Sequence, residues 1–137
     1  MKLSELAPDK TLATMLDKQV LVEEKPIRAY AAAERPNDNL GEDFLEVLYN
    51  GNVQSLTRPI GNFNGNLALA IYSLANSDNT AKKNRMRRIL EQVETLVDGI
   101  TSDGIYFALT ANPITPVTIN QDTGYGMMVL NIQWHTT

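Results

Sequence analysis

Five basic residues, Lys82, Lys83, Arg85, Arg87 and Arg88, fall within the short stretch KKNRMRR. Two chemistries suit such a cluster: neutralising the phosphates of a nucleic acid, or meeting an acidic protein surface. The whole chain carries a formal net charge of -4 at pH 7, which argues against general nucleic-acid binding, because duplex affinity rests on a net basic surface. On a helical wheel Lys83 and Arg87 lie on one flank of an apolar stripe, Arg85 lies on the other, Arg88 faces away, and Lys82 falls near the stripe edge. The plain reading is a solvated helix exterior in which Arg87 pairs with Glu91 and Glu94. Yet these cations occupy the first turns of the helix, where the macrodipole favours anions. An acidic surface would offset that cost. Of the 12 basic and 16 acidic residues in the chain, the rest of the sequence holds 12 - 5 = 7 basic against all 16 acidic ones, so identical copies supply a complement.

Other constellations lead to less. The glycines of GNFNGN precede a strand instead of joining strand to helix, and no GK[ST] follows, so a turn fits better than a phosphate cradle. His135 is the single histidine and there is no cysteine; a triad, an imidazole metal site, a zinc-thiolate site and a disulfide all lack partners. His135 is expected to sit in a frayed terminus. Glu42 with Asp43, and Asp98 with Asp103, flank turns and caps, and they lack the ligand alternation of a calcium loop. Trp134 alternates with Leu130 and Ile132 and reads as core. The sequence therefore names no catalytic, cofactor-binding or metal-binding residue, and the expectation is a protein that is not an enzyme.

At 137 residues, with 43% hydrophobic and 20% charged residues, the chain fits one domain spanning 1–137, able to fold without disulfides or metal. Glu5 and Asp9 interrupt any secretory apolar run, and no stretch approaches the roughly 20 apolar residues of a membrane span. A cytoplasmic place of synthesis is expected.

The elements follow from periodicity. Pro8, Asp9, Leu12, Met15, Leu16 and Val20 predict a short helix over 8–19, with Pro26 ending any continuation. Strands are predicted at Ile27 to Ala33 and Phe44 to Tyr49, joined as a hairpin through PNDNLG. Asn50-Gly51 lets the second strand continue or fold back through Val53 to Leu56. After a turn-rich TRPIGNFNGN comes an apolar central strand, Leu67 to Leu74. A long helix of about 80–98 follows, with Met86, Ile89, Leu90, Val93, Leu96 and Val97 as its stripe and Gly99 as C-cap. Ile105 to Leu109 is the next strand, then an irregular loop, ANPITPVTINQD, and a final strand from Gly124 to Trp134. The fold class is α+β: a largely antiparallel or mixed sheet of about five strands, the long helix packed on it, and a short N-terminal helix.

With these elements laid out, the chain resembles the tail terminator, or tail completion, proteins of long-tailed bacteriophages and prophages, and the related proteins labelled minor capsid proteins. The resemblance spans roughly residues 8 to 134 and rests on size, element order and three passages: NLALAIYSLA leading through NSDNT into the long helix, SDGIYFALTANPITPV, and DTGYGMMVLNIQW. It departs at KQVLVEEKP, which has no clear counterpart. The resemblance implies a structural protein of the virion, assembled in the host bacterial cytoplasm. Such proteins form a ring, typically of six subunits, at the head-proximal end of the tail tube, where they stop tube polymerisation and join tail to head. The implied partners are other copies of the chain, the tail tube protein and a head-completion or neck protein; no membrane, sequence-specific nucleic acid or cofactor is implied. In such a ring the cluster Lys82, Lys83, Arg85, Arg87 and Arg88 is a candidate subunit interface. Asn37, Asp38, Asn39, Glu42 and Asp43, with Thr115, Thr118, Asn120, Gln121 and Asp122, are candidate loop contacts. The competing readings are another neck component, such as a head-closure or adaptor protein, and a small ligand-binding α+β domain.

Overall fold

The computed structural model describes residues 5–31, 34, 43–49, 51, 53–55, 62–73, 79–114, 118–119 and 125–137, of which 54–55, 79–82, 111–114 and 118–119 are described by backbone alone. Helix α1, Pro8–Leu16, begins with proline at its first turn and Asp9 beside the positive end of its dipole, and it buries Leu12, Ala13 and Leu16. It stops short of the expected residue 19 because Lys18 turns left-handed (φ 63°), leaving Val20 buried but off the helix. Asp17 seals the junction: its Oδ1 accepts from Arg28 Nε at 2.8 Å and from the Ala29 amide at 3.0 Å.

The passage without a clear counterpart forms a small hairpin of β1, Leu21–Val22, and β2, Lys25–Pro26. Glu23 and Glu24 occupy its turn at φ 51° and 67°, a tight turn that normally selects Asn and Gly. Strands β3, Arg28–Ala31, and β4, Phe44–Leu48, run parallel, with Arg28 opposite Phe44. The expected hairpin between them is thus wrong: residues 32–43 are about the dozen that a parallel return needs. Beyond Gly51 (φ 81°), the chain continues as β5, Val53–Ser55, along the same neighbour as β4, and does not fold back.

That neighbour is β6, Phe63–Ser73, which begins earlier than expected, so Phe63 to Asn66 of the supposed turn are strand. Helix α2, Asn79–Val97, ends as predicted at Gly99, left-handed at φ 77°. Strand β7, Ile100–Ser102, then pairs with β8, Ile105–Ile114, across an Asp103-Gly104 turn. After β9, Thr118–Ile119, the chain closes with β10, Gly126–Thr136. The main sheet is mixed, in the order β3-β4-β6-β10-β8-β7, with β5 on β6 and β9 on β10. Both the sheet and the α+β class match the expected architecture, with more strands than the five foreseen. Since β6 and β8 each run antiparallel to β10, they are parallel to each other, and α2 makes the crossover this requires.

Both helices cover one face. Leu12, Leu16, Met86, Ile89, Val93 and Val97 pack with Leu45, Leu69, Ile71, Phe107, Leu130, Ile132 and Trp134 in one core. Each of these side chains is worth about 1.5–3 kcal/mol on burial.

Two departures concern β8 and β10. Residues 111–114 of the expected loop lie within β8, and residues 110–113 bulge opposite Asn131, between the pairs Leu109 with Ile132 and Ile114 with Leu130. Pro113 is tolerated there because a bulge asks for no amide donor. His135 is not frayed: it pairs with Asn64 and Tyr106 inside β10. Thr136 fastens this end, accepting from the Phe63 amide at 2.8 Å, and the Thr137 amide donates to Gly104 at 2.9 Å.

Candidate interaction surface

The alternation that sends Leu69 and Ile71 into the core sends their neighbours to the opposite face, and the strand registers line these up in rows. At one end the face closes on itself. Phe44 stacks on Tyr72 at 4.5 Å, Tyr125 meets both edge-on at 5.6 and 6.0 Å, and Tyr30 meets Phe44 at 6.3 Å. The Arg28 guanidinium lies 5.2 Å from the Tyr30 ring centre, so this edge also gains a cation–π contact. Phe44 and Tyr125 are buried.

The other end is open and chemically different. One row runs Asn64, His135, Tyr106, Thr101 across four strands, with His135 stacked on Tyr106 at 4.8 Å. The next holds Asn66, Gln133 and Ala108, and a third Ala68 and Asn131, opposite the β8 bulge. Asn66, Gln133 and Thr101 are exposed. None of these nine residues is Asp, Glu, Lys or Arg. Asn64 Oδ1 is buried and has no hydrogen-bond partner among the described residues. A sheet surface of amides, a hydroxyl, aromatic rings and methyl groups resembles the charge-depleted centre of a protein interface.

A separate set of charges sits on the helix side. Arg85 is turned inward: its Nε lies 3.1 Å from Asp43 Oδ2, and its Nη2 lies 3.5 Å from Glu23. The Nε–H is not aligned on the carboxylate, so the Asp43 contact is an ion pair and not an aligned hydrogen bond. Asp43 is buried and also accepts from the Ser73 hydroxyl at 3.3 Å. Asp43 is therefore not a loop contact waiting for a partner. Gln92 clamps the β1–β2 hairpin to α2, its Oε1 accepting from the Leu21 amide and its Nε2 donating to the Leu21 carbonyl, both at 2.8 Å. Beside it lies an open depression of about 430 Å³ lined by Gln19, Glu91, Gln92, Thr95 and Leu96.

Of the sequence-predicted cluster, Lys83, Arg87 and Arg88 are exposed, and among the described residues none of them has an ion pair. The expected pairing of Arg87 with Glu91 and Glu94 does not form. An arginine N-terminal to a glutamate is the weaker order on a helix. Lys82 is placed on α2 by its backbone. Thr118 belongs to β9, where it pairs with Met127, and so is not a loop residue. Asn37, Asp38, Asn39, Glu42, Thr115, Asn120, Gln121 and Asp122 lie outside the described residues.

Among the described residues no three imidazole or carboxylate groups converge to hold a metal ion, and no helix is long and apolar enough to cross a membrane. Tyr49, edge-on to Trp134 at 6.3 Å, has its phenol pushed above 10.0 by burial and by the nearby charge of Asp9. Sequence reasoning missed the clamps of Gln92 and Thr136, which carry no motif. It also missed β7, for which the Asp103-Gly104 pair was a signal. No protein-family model matches this chain, and no curated protein matches it.

Proposed function

We propose that the chain is a structural subunit of a phage or prophage tail terminator. In this reading six copies ring the head-proximal end of the tail tube, stop its polymerisation and present the surface that joins the head. The observation that carries the reading is the uncharged, helix-free part of the sheet around Asn66, Gln133 and Thr101. Such a surface suits permanent contact with another subunit, since charge at an interface centre must be desolvated. The family resemblance of the strands on either side of α2, and of β10, supplies the type of assembly. The tube protein and a neck protein are then the two partners met by the ring.

The test is to add the purified chain to the tube protein encoded beside its gene while tubes grow, and to measure tube length and end structure by negative-stain electron microscopy. Growth is expected to stop with a ring at one end, and Gln133→Lys, which sets a charge in the middle of the open face, is expected to abolish rings while the monomer stays folded. Tubes that elongate equally with and without the chain, or a neighbouring gene set with no tube protein, would overturn the reading.

A further inference from the structure

The exposed side of α2 is charged in a polar order: Lys83, Arg87 and Arg88 towards its N-terminus, Glu91, Glu94 and Asp98 towards and just past its C-terminus. At 100° per residue the five on the helix fall within about 140° of its circumference, opposite the buried Met86, Ile89, Val93 and Val97, and Asp98, the first residue past the helix, is exposed at its end. Among the described residues none of the six has an ion pair. Asp98 uses Oδ1 to accept from the Leu109 amide at 3.0 Å, which leaves its second oxygen for another donor. Arg85 belongs to a different side of the helix and is committed to Asp43 and Glu23.

This order opposes the macrodipole, with cations at its positive end and anions at its negative end. It is also self-complementary under one operation only. In an antiparallel pair related by a two-fold axis near residues 90 and 91, position i faces the position that brings their sum to about 181. Lys83 then meets Asp98 of a second copy and Arg87 meets Glu94 on the same flank, while Arg88 falls beside Glu91 on the other flank. The two-fold repeats each pair. A parallel two-fold pair sets like charges opposite each other. The antiparallel arrangement also lays the positive end of each dipole against the negative end of the other.

We infer that the outer face of α2 is a docking site for the same face of a second copy, making a salt-sensitive two-fold dimer. A helix face alone buries less than the roughly 1,200 Å² of a stable complex, so the dimer is transient and forms at high protein and low salt. It does not rest on the terminator reading, and no tube protein is needed to see it.

Sedimentation equilibrium of the full chain at about 20 mM and about 500 mM salt reads the association. A dimer is expected at low salt and a monomer at high salt. Arg87→Glu and Glu94→Arg, each of which turns two attractions into two repulsions, are expected to weaken association by about tenfold or more, and the double variant Arg87→Glu with Glu94→Arg is expected to restore it. Because the chain has no cysteine, Glu91→Cys places a single thiol next to the axis, where a short bis-maleimide should link two copies, while Asn84→Cys, far from the axis, should not. A chain that stays monomeric at low salt, single reversals without effect, a double variant that stays as weak as the singles, or equal linking at positions 84 and 91 would each overturn the pairing. A higher oligomer that ignores both salt and Arg87→Glu overturns the dimer and leaves the ring standing; a salt-sensitive dimer that never caps tubes does the reverse.

Discussion

Replacing Arg85 by methionine removes the cation beside Asp43, whose side chain is 5% exposed against 26% for Arg85. That asymmetry fixes which partner is costlier to lose. Without Arg85 the carboxylate keeps the Ser73 hydroxyl but loses the Arg85 guanidinium, and it has almost no access to water. Breaking a fully buried pair costs about 3–5 kcal/mol; with the arginine a quarter exposed and a hydroxyl remaining, about 2–3 kcal/mol is expected for Arg85→Met. Removing the acid instead, as Asp43→Asn, leaves an arginine that reaches solvent and Glu23, and about 1–1.5 kcal/mol is expected. At roughly 4 °C per kcal/mol for a domain of this size, the midpoints fall by about 8–12 °C and 4–6 °C respectively. The assay is urea or thermal unfolding followed by the fluorescence of Trp134, the only tryptophan and 1% exposed in the native state. Glu23→Gln is the control, because that carboxylate is 73% exposed and its loss should barely register. If Asp43→Asn costs as much as Arg85→Met, or more, the argument from unequal burial is wrong.

Thr136→Val keeps the side-chain shape but strands the Phe63 amide at the start of β6; a loss of about 1–3 kcal/mol is expected in the same unfolding assay, with Thr136→Ser close to the natural chain. Tyr49→Phe tests the raised phenol. The native phenol holds its proton where the unfolded one ionises, so its contribution is complete below about pH 10 and is lost as pH rises through the higher native value. The urea midpoint of the natural chain should fall more steeply than that of Tyr49→Phe between about pH 9 and pH 11; parallel curves would remove Tyr49 from the account.

The parts of the fold that were legible are those whose side chains repeat with the period of their element. Met86, Ile89, Val93 and Val97 mark α2, and Met128, Leu130, Ile132 and Trp134 mark β10, because burying one face demands that spacing. Turn residues proved to be a weaker guide. PNDNLG signals that the chain leaves a strand but not in which direction it returns, and the parallel pairing of β3 with β4 turned on connection length. VEEK carries no turn signal because its turn places two glutamates at positive φ, in a hairpin that Gln92 clamps to α2. Pro113 read as a loop marker although a bulge tolerates it. In the candidate surface, the helical wheel separated Arg85 from Lys83 and Arg87, but nothing near Arg85 in sequence points to Asp43. The uncharged face was not legible, since Asn64, His135, Tyr106 and Thr101 become neighbours only through the pairing of four strands.

These two surfaces differ in the force each one uses, and ionic strength separates them. The α2 face offers six charges whose attraction to a second copy fades within a Debye length of about 10 Å at 0.1 M salt. The open end of the sheet offers amides, rings and methyl groups, whose burial is insensitive to salt at that level and strengthened by excluded salts such as sulfate. One face lies outside α2 and the other lies across the sheet from it, so a copy held by α2 keeps its sheet face free. Two-fold pairing through α2 therefore competes with a ring only if the ring also uses α2. In that case both assemblies draw on the same screened charges, and added salt should lower the yield of capped tubes together with the dimer; if the ring uses the sheet face alone, capping should be indifferent to salt over the range in which the dimer dissolves.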